Sequence, residues 1–142
     1  MIYQMIYSSQ AKTPMSIAGL EEILVDARAG NEKRQVTGVL VYVDGVFLQI
    51  LEGEEAVIRG LVQSISADSR HTDLKVFYER EVSDRTFPDW RMAYLSATPQ
   101  QMAVWAGLEG TAPSIESVLE GIQRNPRNVP QVVERLLRAL VP

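Results

Sequence analysis

Chemistry is most visible in this chain at a glutamine placed in the middle of an apolar run. Gln49 lies between Leu48 and Ile50 in Val46-Phe-Leu-Gln-Ile-Leu-Glu-Gly53. Its amide brings two donors and an acceptor into a stretch that otherwise avoids water. Left unpaired, such a group costs roughly 1–3 kcal/mol, so a partner must answer it. Tyr7, late in the first apolar run, offers a hydroxyl that can do so. The alternative partner is a bound polar ligand. Asn31 is then either a turn residue after a glycine or an amide that reaches the edge of a planar heterocycle. Trp90 and Met92 are either packing residues or the polarisable wall of a cavity that holds it. Arg28, Lys33, Arg34 and Arg70 fall near helix or strand ends, where they are solvated charges or meet a phosphate tail.

The elements that must bring these residues together follow from periodicity. Val36 to Gly53 consists of two runs rich in β-branched residues around Asp44-Gly45, a dipeptide that favours a two-residue hairpin turn. Both arms are apolar on both faces, as in covered central strands. Met1 to Ser8 alternates and predicts a first strand with Tyr3, Met5 and Tyr7 on one face and Ile2, Gln4 and Ile6 on the other. Thr13-Pro14 predicts the start of a helix carrying Ile17, Leu20, Ile23, Leu24 and Ala27, with Gly30 closing it. Glu54 and Glu55 open a second helix along Val57, Ile58, Leu61, Val62 and Ile65. Leu74 to Val82 predicts a half-solvated strand, and Arg91 to Leu95 a short fifth one that brings Trp90 and Met92 to the same side. Gly38 and Gly53 are placed for close backbone approach.

The order β-α-β-β-α-β-β predicts an α+β, ferredoxin-like fold, a mostly antiparallel sheet with two helices on one face. Helical segments at 99–106, 114–123 and 130–140 carry apolar faces that would cover the other face or a partner. Gly107 to Pro113 is the first linker candidate and Gln123 to Pro130 the second.

Composition narrows the chemistry further. The 142 residues, 46% of them apolar, predict one globular domain with an appendage. A net charge of −4 argues against nucleic acid and anionic membranes as partners. No run reaches the roughly 18 apolar residues of a membrane span, and the polar start does not resemble a signal peptide; the expected location is the cytoplasm. Cysteine is absent, which excludes disulfides, thiolate zinc sites and thiol nucleophiles. His71 is the single histidine, so histidine-clustered metal sites lack ligands.

Taken together, Ile6-Tyr7-Ser8-Ser9, Asn31, Val36 to Tyr42, Phe47 to Gly53 and Phe87-Pro88-Asp89-Trp90-Arg91-Met92 resemble the BLUF domain, the blue-light sensor family that uses FAD. The resemblance covers residues 1–96 as a photosensory domain and leaves 97–142 as a helical extension that caps it or relays its signal. It implies a noncovalently bound FAD whose isoalloxazine ring lies between the two helices. Carried over by position, Tyr7 is the light-driven electron and proton donor, and Gln49 is the amide that rearranges at the flavin N5 and C4 carbonyl. Asn31 bonds the pyrimidine edge, and Trp90 and Met92 relay the signal; Arg28, Lys33 and Arg70, as basic residues near helix or strand ends, are the further cofactor contacts expected at a phosphate tail. His71 receives no role. Many members carry a polar side chain where this chain has Gly30, so the ring is expected to be gripped differently there.

The implied protein is a sensor and not an enzyme, with no metal. Its output would pass to a downstream protein partner or through a homo-oligomer, since the residues after Ser96 are too few for a catalytic output domain. Two other readings stand beside it. One is a small ferredoxin-like hydrolase of acylphosphatase type, against which Ser8 to Thr13 contains no glycine. The other is a ligandless oligomerising module in which Gln49 and Tyr7 are only a core pair.

Overall fold

Asp44 and Gly45 take φ values of 46° and 79°, so the predicted turn forms. It joins β2 (Thr37–Val43) to β3 (Val46–Gly53), paired from Val43↔Val46 to Thr37↔Glu52. This computed structural model describes residues 1–12, 15–107 and 114–140, and only the main chain of Phe77. The hairpin is the centre of its sheet. On one side β3 pairs with β1 (Ile2–Ala11), and β1 with β4 (His71–Val82), all antiparallel; on the other, β5 (Ala93–Ser96) runs parallel to β2. The order is β4-β1-β3-β2-β5, the ferredoxin-like arrangement with a fifth strand added. At Gly38 a Cβ would lie 1.9 Å from the Ile50 carbonyl oxygen, so the close approach predicted there demands glycine.

Two helices, α1 (Ile17–Arg34) and α2 (Glu55–Ser66), cover one face. The cap expected at Thr13-Pro14 lies outside the described residues; Ser16 caps α1, its hydroxyl accepting from the Gly19 N–H. Gly30 does not end the helix. Glu32, Lys33 and Arg34 are good helix formers, two positive charges suit the last turn, and Gln35 takes the left-handed cap at φ 56°. Asn31 is therefore buried inside the last turns of α1 instead of following the helix.

The opposite face carries α3 (Pro99–Trp105), α4 (Ile115–Arg124) and α5 (Val129–Leu140), with a 3-10 turn at Pro126–Asn128 inside the second linker candidate. The first linker candidate, apart from Gly107, lies outside the described residues. Val39, Val41, Leu48 and Ile50 meet Met102, Ile115, Val118, Ile122, Val132 and Leu136 in one core. The tail thus covers its own sheet. Strand alternation sends Tyr3, Met5, Tyr7, Leu40, Phe47 and Leu51 the other way, against Leu20, Ile23, Leu24, Ile58 and Val62.

One expectation fails at the fifth strand. It begins at Ala93, and residues 88–92 ahead of it are irregular, so a period of two does not govern them. Met92 joins the core under α1 and α2, whereas Trp90 packs against the core under α3 to α5. The two side chains straddle the sheet. No helix among the described residues is long and apolar enough to cross a membrane.

Candidate functional site

A cleft of about 150 Å³ lies between α1 and α2. α1 lines it with Ile23, Asp26, Ala27, Asn31 and Arg34, and α2 with Leu61 and Ile65; Leu40 and Gln49 come from the sheet, and Asp68, Arg70 and His71 from the turn into β4. Wider depressions of about 600 and 380 Å³ lie by the β2–β3 turn and α4, but Tyr7, Gln49 and Asn31 line neither. Of the residues expected to do chemistry, Asn31, Arg34, Gln49 and Arg70 line the smaller space, while Tyr7 is buried beneath it and does not line it.

The β1–β3 register sets Tyr7 opposite Gln49, and alternation turns both toward the helices. They do not bond to each other. Tyr7 is fully buried, and its hydroxyl has no hydrogen-bond partner among the described residues. Burial pushes its phenol well above the usual range, so the proton stays on. Gln49 is 6% exposed and donates from Nε2 to the Met92 Sδ at 3.3 Å, a weak acceptor. Two neighbouring buried polar groups so poorly answered require an explanation, and a ligand carrying donors and acceptors into the cleft supplies one.

Asn31 donates from Nδ2 to the Arg91 carbonyl at 2.6 Å, which uses one of its two N–H groups and leaves Oδ1 for a ligand. Arg28 and Lys33 do not line the cleft. Arg28 donates from Nε to the Met92 carbonyl at 3.0 Å, and Lys33 is exposed in the last turn of α1. Arg34 takes the lining position beside it. Arg70 does line the cleft, held by Asp68 (Nη2 to Oδ2, 2.7 Å) and, across to α1, by Asp26 (Nη1 to Oδ2, 3.3 Å). The Arg70 guanidinium and main-chain N–H hold the Asp68 carboxyl down to about 2, against the opposing effect of burial. His71 shares a hydrogen bond of 3.0 Å between Nδ1 and the Ser9 hydroxyl, and its ring lies 4.8 Å from that of Phe47. Burial lowers its pKa.

Three residues were not singled out from the sequence. Asp68-Ser69-Arg70, opposite charges two apart in a turn, is a signal that could have found Asp68. Nothing local marks Asp26, whose partner is 44 positions away. Glu52 is also new: fully buried, it accepts from Gln4 Nε2 (3.0 Å), Thr86 N–H (2.8 Å) and Phe87 N–H (2.7 Å). It anchors the segment that leads to Trp90 and Met92. No group of three or more metal-ligating side chains occurs among the described residues.

A family model described as BLUF, sensors of blue-light using FAD, matches residues 2–93. The photoactivated adenylate cyclase subunit beta of Euglena longa is 32% identical over 134 residues, which are 94% of this chain and 15% of that protein. The chain therefore spans about 15% of that relative's length. Among solved structures, BlsA in its photo-activated state superposes with a TM-score of 0.77 at 26% identity, over 96% of this chain and 95% of that one. Klebsiella pneumoniae BlrP1, solved with FMN and cyclic diGMP, superposes with a TM-score of 0.61 at 25% identity, over 84% of this chain and 29% of that one.

Proposed function

From the premise that this chain belongs to the BLUF family of blue-light sensors, we propose that it is a photoreceptor in which FAD sits in the α1–α2 cleft and Tyr7 and Gln49 carry the light reaction. The observation behind this reading is the buried Tyr7 hydroxyl without a partner, set opposite a Gln49 amide that holds only a thioether. The residues fit a flavin. Gln49 lines the cleft without a strong partner and Tyr7 lies buried opposite it in the sheet, Asn31 offers Oδ1 and an N–H to a pyrimidine edge, and Arg34 and Arg70 line the cleft where a phosphate-bearing tail would pass. Arg28 and Lys33 are better placed outside that contact set.

When bound, the flavin supplies blue-light absorption and an excited state that accepts an electron. Tyr7, kept protonated by burial, holds both the electron and the proton to be given. Gln49 exchanges donor for acceptor by turning its amide end for end, and the weak bond to Met92 Sδ opposes that turn little. Met92 adjoins β5, so a changed Gln49 contact acts directly on the strand beside the tail. The domain at 1–96 senses, and the extension at 97–142 relays to a downstream protein partner or to an oligomeric state; the protein itself is a non-enzymatic cytoplasmic sensor.

The rival readings lose their residues. A hydrolase of acylphosphatase type would need a glycine-rich phosphate loop between the first strand and the first helix, and Ser8 to Thr13 contains no glycine. A ligandless module would need a bonded Tyr7–Gln49 pair, and that bond is not made.

The test is the visible absorption spectrum in the dark and just after blue illumination. The expected result is a flavin spectrum whose bands move slightly to the red and then recover. Failure to bind flavin after reconstitution with FAD or FMN, or a bound flavin that only bleaches, overturns the proposal. Titrating the flavin-free protein with each flavin ranks FAD against FMN.

A further inference from the structure

Three successive carbonyls ahead of β5 are each held from outside their own segment. The Trp90 carbonyl accepts from the Gly38 N–H at 3.0 Å, that of Arg91 from Asn31 Nδ2 at 2.6 Å, and that of Met92 from Arg28 Nε at 3.0 Å. The first two donors are buried. Arg28 is different: it lies on the exposed side of α1, yet reaches across 64 positions of sequence to a main-chain oxygen. A planar guanidinium donating through Nε is a directional contact, one that a solvated surface charge does not need.

The residue so held is the one that touches Gln49. Methionine has three rotatable side-chain bonds, so where its sulfur lies depends on how firmly its main chain is placed. Met92 stands just before the first β5 partner, Ala93 opposite Val39. We propose that Arg28 is a positioning residue: by fixing the Met92 carbonyl it keeps Met92 Sδ in place as the acceptor for the Gln49 amide, and so sets how fast the illuminated protein returns to its dark arrangement. This rests on the photoreceptor reading above. Arg28 makes no contact with the flavin in this scheme, in contrast to the phosphate contact expected of it as a basic residue near a helix end.

Loosening Met92 withdraws an acceptor from the dark arrangement of Gln49, so the return to that arrangement slows. In the FAD-loaded full chain, Arg28→Ala is expected to slow dark recovery severalfold while FAD affinity stays within about twofold, the tolerance of independent substitutions. Arg28→Lys, which can still donate to the carbonyl, restores part of the rate. In a Met92→Ala background the Arg28→Ala change has no effect beyond that same tolerance, because the group it positions is gone. Recovery at or above the wild-type rate in Arg28→Ala overturns the proposal, as does an effect that persists without Met92. A loss of FAD affinity much larger than the loss of riboflavin affinity also overturns it, since that marks a phosphate contact. Failure of the underlying reading shows separately, as a wild-type protein without a recoverable red shift.

Discussion

The same two strands carry two buried polar pairs, three residues apart and on opposite faces of the sheet. Gln4 faces Glu52, and Tyr7 faces Gln49, in one unbroken β1–β3 register. The first pair is fully answered. Gln4 Nε2 donates to Glu52 at 3.0 Å, Arg80 Nε donates to Gln4 Oε1 at 2.9 Å, and two main-chain N–H groups of the β4–β5 segment donate to the same carboxylate. The second pair makes no mutual bond, and one of its members has no partner at all among the described residues. Position, burial and strand are shared, so the difference lies in what each pair is for. A satisfied network fixes a structure. An unsatisfied one beside a cleft is the pair to which the proposed function assigns a ligand.

The sharpest way to break this contrast is to treat both pairs alike. Tyr7→Phe removes the unanswered hydroxyl, so the flavin is expected to remain bound while the light-induced red shift disappears. The flavin-free protein should lose no stability and should gain about 1 kcal/mol, the usual cost of burying an unpaired polar group. Difference spectra and urea denaturation of the flavin-free form check the two halves. A variant that photocycles as wild type removes Tyr7 from the light reaction. Glu52→Ala is expected to do the reverse. It strands Gln4 and the N–H groups of Thr86 and Phe87, at a cost of about 3 kcal/mol or more in denaturation, while the folded fraction still binds flavin. A Glu52→Ala protein of wild-type stability would make the two pairs equivalent and end the comparison.

How far this contrast is legible in the sequence depends on distance along the chain. Parity along two alternating strands put Tyr3, Met5 and Tyr7 on one face, and the Asp44-Gly45 turn fixed the hairpin that carries Gln49. Those are local rules, and the structure obeys them. That Tyr7 and Gln49 leave each other unbonded is a matter of side-chain reach that a pattern does not carry. A glycine stop at Gly30 predicts Asn31 after the helix, but Gln35, not a glycine, takes the left-handed cap that ends α1. A period of two predicts one face for Trp90 and Met92, but it does not govern residues that Glu52, Gly38, Asn31 and Arg28 pin irregularly from remote positions.

A smaller effect tests the cleft side alone. His71 is half-buried against Phe47, and its pKa is lowered first by burial and further by Arg70, with Asp68 opposing. Its folded pKa lies below the ordinary 6.5, so the unfolded chain binds the proton more readily. The stability this contributes is complete above that ordinary value and is lost as pH falls through it toward the folded pKa. Melting temperature should decline between pH 7.5 and 5.5, and His71→Gln should flatten that decline. An unchanged slope in the variant would assign the pH dependence elsewhere.

The weakest expected effect is also the one most specific to the mouth of the cleft. Asp26 and Arg70 join α1 to the turn before β4 through a pair at 3.3 Å, with side chains 60% and 34% exposed. An ion pair so open to water contributes about 0–1 kcal/mol and weakens with salt. Arg85, which holds the same β4–β5 segment as Glu52, donates instead to Thr37 Oγ1 and to the carbonyls of Glu52 and Gln35, neutral acceptors on which salt has little hold. Salt should therefore loosen the cleft and leave that anchor intact. If the Asp26–Arg70 pair lies on the path of the flavin, Asp26→Ala should speed flavin association with the flavin-free protein, and added salt should speed the wild type toward the variant. Stopped-flow quenching of flavin fluorescence at two salt concentrations reads this directly. Equal association rates in both proteins at low salt would mean that the ligand enters without opening the pair.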